Sequence, residues 1–191
     1  VQDLLALSRV EHEIDTGVIE EFDIAALVKD EIELIRPLAE QKGLTLIVDL
    51  PDHTTAYGSR NAARYCAANL VSNAVRYTKE GWVKVILRRD GEMVELIVQD
   101  TGIGIAAYEQ EKIFQEFYRT QSARETVAEG TGVGMTLVKR CVEALEGTIE
   151  LNSKADEGSI FTVRLPRKPS YVKEGLDDEP STIHTDSSET G

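Results

Sequence analysis

The pattern that most limits the fold lies between residues 82 and 99, where two runs of strand-forming residues flank the pair Asp90-Gly91. An Asp-Gly pair between two such runs is typical of a tight turn, so we expect a β-hairpin with strands at 82–87 and 93–99. Helical and strand patterns stand on both sides of this hairpin. The chain therefore combines an antiparallel element with helices.

Apolar periodicity predicts the other elements. Helices are expected at 25–41, at 60–78 behind Ser59 as N-cap, and at 134–146, and strands at 44–50, 148–151 and 159–165. Helices and strands in this order favour an α+β fold, a two-layer α/β sandwich in which helices cover one face of a mixed sheet. Cys66 and Cys141 stand among apolar residues at helical spacing, and we expect both in the core.

Three segments are expected along the chain. Residues 1–16 carry an amphipathic pattern typical of the end of a helix from a bundle, residues 17–166 form the main domain, and residues 167–191 form an acidic, disordered tail or linker. The chain begins with Val1 instead of Met, so we expect a fragment or a processed form. Any membrane spans of the complete protein would then lie upstream.

The charge excludes some partners. The sequence has 34 acidic and 21 basic residues and a formal net charge of −13. Such a chain repels phosphate backbones and anionic lipid, so we expect neither nucleic acid nor direct membrane contact. No apolar run approaches the roughly 20 residues that span a bilayer, and we expect a cytoplasmic location.

One face of the helix predicted at 60–78 carries polar chemistry. Asn69, Asn73 and Arg76 recur three and four positions apart, which places them along one face. Amide oxygens can ligate a hard cation, and a guanidinium can bind phosphate. Taken alone, the same pattern also fits an ordinary solvated helix face.

Asp100 follows the second hairpin strand directly and precedes Thr101-Gly102-Ile103-Gly104. An acceptor-only carboxylate there can bind the exocyclic amine of adenine and would reject guanine, which presents an oxygen. A simple Asp-Gly turn is the alternative. Gly102, Gly104 and Ala107 also match a dinucleotide-binding fingerprint, but the helix and the second strand that this motif requires do not follow.

A second glycine cluster runs from Gly130 to Gly134 and opens the last predicted helix. Backbone N–H groups at a helix N-terminus form a site for phosphates. Residues 106–131 before it have little strand signal and are long enough for a functional loop, which we expect to be a mobile lid. The sequence contains neither a P-loop motif nor the signature motifs of protein kinases.

Together these motifs resemble the histidine-kinase branch of the GHKL (Bergerat) superfamily, which includes type II topoisomerases and heat-shock chaperone ATPases. Residues 69–77 (NLVSNAVRY) resemble its N box, 100–105 (DTGIGI) its G1 box and 130–134 (GTGVG) its G2 box. Residues 113–119 (IFQEFYR) resemble the F box, which distinguishes sensor kinases from the other branches.

The resemblance implies ATP and Mg²⁺ as cofactors and assigns expected roles. Asn69 and Asn73 would hold the metal and the phosphates, Arg76 and Tyr77 would line the triphosphate, and Asp100 would bind adenine. Arg119 would reach the terminal phosphate. The other expected nucleotide contacts are Gly102, Gly104, Ile105, Gly130, Thr131, Gly132, Val133, Gly134, Met135 and Thr162. Phe114 and Phe117 would dock the lid on a helical partner domain, or else pack an amphipathic lid helix onto the core.

The implied activity is transfer of the terminal phosphate of ATP to a histidine on a separate dimerisation domain. His12, His53 and His184 lack the expected sequence context for that acceptor. The expected partners are the histidine-bearing domain, a response regulator receiver domain and a second copy in a full-length homodimer. An ATP-gated interaction module and an anti-sigma-type serine kinase are the alternatives.

Overall fold

The computed structural model describes residues 18–128 and 130–168, so the expected helix before residue 17 and the tail from residue 169 lie outside it. The strands are β1 (Ile19–Asp23), β2 (Thr45–Asp49), β3 (Thr55–Ser59), β4 (Trp82–Asp90), β5 (Met93–Asp100), β6 (Thr148–Lys154) and β7 (Gly158–Pro166). The helices are α1 (Ile24–Gln41), α2 (Arg60–Tyr77), α3 (Gln121–Thr126) and α4 (Gly134–Ala144).

The main sheet has five strands in the order β2-β4-β5-β7-β6. β4 and β5 form the predicted hairpin, and β7 pairs antiparallel with both β5 and β6. β2 lies at one edge and runs parallel to β4. The sheet is therefore mixed, and the predicted α+β fold is confirmed.

The core lies between this sheet and helices α1, α2 and α4. Alternate residues of the central strands are buried, namely Val83, Val85, Leu87, Val94, Leu96, Val98, Phe161, Val163 and Leu165. The apolar stripes of the helices cover them, and each fully buried aliphatic side chain contributes roughly 1.5–3 kcal/mol. Cys66 and Cys141 are 2% and 0% exposed, as expected of core residues.

A second, two-stranded antiparallel sheet of β1 and β3 was not predicted. It fixes the starts of two helices, because each of its strands ends in a residue that caps the helix that follows. The Asp23 carboxylate accepts from Ala25 N at 3.0 Å, and the Ser59 hydroxyl accepts from Ala62 N at 3.2 Å. Ser59 is the predicted cap of α2, the helix that carries both candidate asparagines.

The lid segment, residues 106–131, contains two single 3₁₀ turns and the short helix α3. An amphipathic helix across the F box is not found, because the turn at Lys112–Phe114 ends at Gln115 in an extended conformation. Phe114 packs against the core, and its carbonyl accepts from Thr136 Oγ1 at 3.1 Å. Phe117 is 46% exposed and has a φ of 61°. The two phenylalanines therefore have different environments.

Four strands are joined by an ion-pair ladder on the sheet face opposite the helices. Glu95 on β5 is buried and accepts from Arg88 Nε on β4 and from Arg164 Nε on β7, each at 2.7 Å. Arg164 also pairs with Glu150 on β6 at 2.7 Å. The hydrogen bond from Arg88, followed by that from Arg164, lowers the pKa of Glu95.

Glu95→Gln is expected to lower the free energy of unfolding by about 1–2 kcal/mol at pH 7, because two guanidinium groups lose their carboxylate. The pKa of Glu95 in the folded protein lies below the ordinary value of 4.5. The stability difference between wild type and variant is therefore fully present above pH 4.5 and disappears as the pH falls through the folded pKa. Urea unfolding across this range measures it. Glu157→Gln, which removes the exposed pair with Lys154, is the control and should have little effect. Equal changes in the free energy of unfolding in both variants would contradict a stabilising role of the ion-pair ladder.

Candidate nucleotide-binding site

A cavity of about 200 Å³ lies between α2, the end of β5, the lid segment and the start of α4. The predicted site residues that line it are Asn69, Asn73, Arg76, Tyr77, Asp100, Gly104, Ile105, Arg119, Gly130, Thr131, Gly132, Gly134 and Met135. Gly102, Val133 and Thr162 do not line it. Residues from distant parts of the sequence thus meet in one place.

Asp100 ends β5 at one end of this cavity and is only 8% exposed. Gly102 N donates to its Oδ1 at 2.8 Å. Burial raises the pKa of Asp100 to about 6, although backbone N–H groups of Gly102 and Ser159 oppose the shift. The site thus holds a carboxylate that has lost most of its water and has acceptor capacity free for a ligand.

Gly102 packs behind Asp100 and does not line the cavity. A Cβ on Gly102 would stand 2.5 Å from Tyr77 O and 2.9 Å from Thr78 Oγ1. Only glycine allows this close approach of the loop to the end of α2. Its role here is to let the Asp100 loop pack against the helix that carries the asparagines.

Thr162 is not brought into the cavity. Side chains alternate along β7, and Ser159 and Phe161 line the cavity whereas Thr162 is on the opposite face of the sheet. Ser159 faces Asp100 in the strand register. Sequence reasoning missed these two residues, and the strict alternation of β7 was the signal that could have found them.

The polar face of α2 presents two amides to the cavity. Asn69 Nδ2 donates to Tyr65 O at 2.8 Å, and Asn73 Nδ2 lies 3.5 Å from Met135 Sδ. Because both amide nitrogens face protein acceptors, the amide oxygens are the groups left for a ligand. Amide oxygens suit a hard cation such as Mg²⁺.

The second glycine cluster borders the same end of the cavity as Asn69. A Cβ on Gly134 would stand 2.8 Å from Asn69 Oδ1, and one on Gly132, whose φ is 76°, would stand 2.7 Å from the carbonyl carbon of Phe117. Val133 precedes α4 and does not line the cavity. The N-terminus of α4, with its unpaired N–H groups, thus faces the cavity and favours anions.

Arg119 lines the cavity, but its guanidinium is directed toward the lid segment. Nη1 donates to Ala128 O at 3.4 Å and to Gly130 O at 3.3 Å, and Nη2 donates to Ala123 O at 3.1 Å and to Val127 O. Its Nε is buried and has no partner among the described residues. The guanidinium therefore holds together the end of α3 and the start of the glycine cluster.

The cavity has two chemically different ends. Tyr77, next to the Asp100 loop, lies eight positions after Asn69 on α2, which corresponds to about 12 Å along the helix axis. The Asp100 end carries a buried acceptor, and the Asn69 end carries amide oxygens and a helix N-terminus. This arrangement suits an elongated ligand with a hydrogen-bonding base at one end and anionic groups at the other.

A sandwich with this cavity defines an ATPase-type nucleotide-binding domain. The sequence matches the family model described as histidine kinase-, DNA gyrase B-, and HSP90-like ATPase over residues 58–169, so the chain belongs to this family.

Two curated relatives are sensor kinases. The chain is 34% identical over 167 residues to the sensor-like histidine kinase SenX3 of Mycobacterium tuberculosis, covering 87% of this chain and 41% of that protein. It is 34% identical over 168 residues to the sensor histidine kinase RppB of Synechocystis, covering 87% and 37%. The chain thus spans less than half the length of these relatives.

Solved structures share the fold. The mycobacterial sensor histidine kinase MprB matches with a TM-score of 0.68 at 23% identity, covering 80% of this chain and 99% of that chain. ShkA in complex with AMPPNP matches with a TM-score of 0.68 at 25% identity, covering 82% and 34%. The predicted ATP-binding catalytic domain of the sensor-kinase type is confirmed. Within residues 18–128 and 130–168, no helix has the length and apolar character to cross a bilayer.

Asp100→Asn is expected to raise the free energy of unfolding at pH 8 by up to about 3 kcal/mol, because it removes a buried charge. The pKa of Asp100 in the folded protein is about 6, against an ordinary value of 3.8. The protonated carboxyl therefore stabilises the fold fully below pH 3.8, and this stabilisation is lost as the pH rises through 6. Urea unfolding at pH 4 and pH 8 measures the change. Asp49→Asn, which removes an exposed charge, is the control and should have little effect on the free energy of unfolding. A less stable Asp100→Asn protein at pH 8 would contradict the burial argument.

Proposed function

We propose that this domain holds Mg²⁺-ATP and transfers its terminal phosphate to a histidine on a dimerisation domain of the complete protein. The observation that carries the proposal is the order of groups along one cavity, from the buried Asp100 carboxylate to Asn73 and then Asn69 beside Gly134. That order follows the order of chemical groups in ATP. The sensor-kinase relatives support the choice of histidine as acceptor.

In this proposal Asp100 selects the base. Its carboxylate accepts a hydrogen bond from the exocyclic amine of adenine, while guanine would face it with a second acceptor. Ile103, Ile105 and Phe161 supply apolar walls beside it. Thr162 lies on the other sheet face, so Ser159 and Phe161 replace it as the β7 residues beside the base.

Asn69 and Asn73 would hold Mg²⁺, since their amide nitrogens face protein acceptors and their oxygens remain available. The metal would neutralise charge on the phosphate oxygens. Arg76, Tyr77 and the α4 N-terminus would bind the remaining phosphate oxygens. Arg119 would contact the terminal phosphate only after leaving the lid carbonyls that it binds here.

In the transfer step an imidazole nitrogen of the acceptor attacks the terminal phosphorus. A nitrogen–phosphorus bond forms, the bond from that phosphorus to the bridging oxygen breaks, ADP leaves, and the imidazole releases a proton. The domain contributes positioning and charge stabilisation and forms no covalent bond itself. Among the described residues His53 pairs with Asp23 and does not line the cavity, so the acceptor is proposed to come from the dimerisation domain.

The proposed partners follow from the same relatives. A sensor kinase passes its phosphate on, so we expect a response regulator receiver domain as the next acceptor and a homodimer in the full-length protein.

The full-length protein, incubated with ATP labelled at the terminal phosphate, should carry an acid-labile label on histidine. Asn73→Ala should reduce the labelling rate at least about a hundredfold, because a metal ligand is lost. Asn61→Ala, on the exposed first turn of α2, is the matched control and should label normally. An acid-stable label would favour the serine-kinase alternative. ATP binding without any label, together with altered partner binding, would favour the ATP-gated module.

Gly134→Ala is expected to weaken ATP binding about tenfold with little change in thermal stability. Its Cβ would press on Asn69 Oδ1 from 2.8 Å, whereas alanine suits a helix. Titration with a fluorescent ATP analogue, with Mg²⁺ and with EDTA, measures the affinity. Lys139→Ala on the exposed face of α4 is the control. Unchanged ATP affinity in Gly134→Ala would contradict the assignment of Asn69 and Gly134 to the phosphate end of the cavity.

A further inference from the structure

A groove of about 190 Å³ lies between α1 and α2, next to the nucleotide cavity. Its walls are Glu31, Leu34 and Ile35 from α1 and Ala68, Asn69 and Ser72 from α2. Asn69 also lines the nucleotide cavity and so separates the two spaces. None of the other groove residues has a role in the nucleotide site.

Glu31 is the chemically unusual member of this groove. It is only 8% exposed, and no hydrogen bond to its carboxylate is found among the described residues. Arg64 Nε forms a long ion pair with it at 3.7 Å, beyond hydrogen-bond range, from a side chain that is 46% exposed. Burial raises the pKa of the Glu31 carboxyl. The Glu31 oxygens remain open to the groove, so a donor that enters the groove can reach them.

The position of the groove suggests what reaches it. Asn69 marks the end of the cavity farthest from the Asp100 loop, and the groove begins on the other side of Asn69. The segment that presents the acceptor histidine must approach ATP from this phosphate end. The groove is therefore beside its path.

The lining of the groove specifies the side chain that fits. Leu34, which is 74% exposed, Ile35 and Ala68 offer apolar walls, and Glu31 offers a carboxylate between them. Ser72 Oγ donates to Asn69 O at 3.3 Å and leaves its own lone pairs as acceptors. An apolar stem that ends in a cation, as in lysine or arginine, matches this combination.

We propose that this groove binds a lysine or arginine side chain of the helical segment that presents the acceptor histidine, and that Glu31 is its docking residue. The inference rests on the proposed histidine-kinase function and adds a recognition contact to it. Binding of this cation places the acceptor segment against α1 and α2, with the terminal phosphate on the other side of Asn69. Glu31 touches neither ATP nor the reacting atoms.

Glu31→Gln in the full-length protein is the first test. It keeps the shape of the side chain and removes the charge, so the initial rate of histidine labelling at saturating ATP should fall about tenfold or more. The affinity for Mg²⁺-ATP and the melting temperature should not fall. Glu33→Gln, on the exposed side of the same helix, is the matched control and should label at the wild-type rate. An unchanged labelling rate in Glu31→Gln, or a loss of ATP affinity in its place, would overturn the proposal.

A double-mutant cycle identifies the cation and separates docking from a structural effect. Each lysine and arginine near the acceptor histidine is changed to methionine in both backgrounds. One of these changes should lower the labelling rate of the wild type and have no further effect in Glu31→Gln. Additive effects at every position would overturn the proposed contact. If the wild type labels no histidine at all, the proposed function itself fails, and the docking contact fails with it.

Discussion

The buried carboxylate of Asp100 is the constraint around which the nucleotide site is arranged. To keep it out of water, the end of β5, the end of α2 and the start of β7 must meet within hydrogen-bond distance. Glycines make this possible, since a Cβ on Gly102 would collide with Tyr77 O, and one on Gly158 would stand 2.0 Å from Asp100 O. The protein thus maintains an unfavourable charge in its core, and a ligand that donates a hydrogen bond there relieves it.

Elements with strong local signals were predictable from the sequence. The hairpin follows from the turn signal at Asp90-Gly91, although β4 continues to Asp90 and the turn itself is Gly91-Glu92. The start of α2 follows from the Ser59 cap. The small sheet was not predictable, because Ile19 pairs with Ser59, forty positions away, and neither strand has a distinctive pattern. An amphipathic helix across the F box was one of the two expectations for Phe114 and Phe117. The positive φ of Phe117 instead reflects tertiary packing, which local helix propensity does not encode.

The lining of the cavity was predictable where polar residues recur at a regular spacing, as for Asn69 and Asn73 on one face of α2. Ser159 and Phe161 have no side-chain chemistry that marks them as ligand-binding, and only the alternation along β7 indicates that they share the inner face of the sheet. Thr162 shows how a shift of one position along a strand moves a side chain to the other face. Glu31 stands among other acidic residues of α1, and only its packing against α2 distinguishes it from them.

The contacts of Arg119 have a consequence for inhibitor design. Its guanidinium binds carbonyls of the lid segment. Under the proposed assignment of Arg119 to the terminal phosphate, a compound with a phosphate mimic would have to break these hydrogen bonds before it could bind the guanidinium. A smaller compound that fills only the space from Asp100 to Tyr77 avoids this exchange. Such a compound would leave the lid contacts intact and could gain potency from rigid, adenine-like groups instead of from charge.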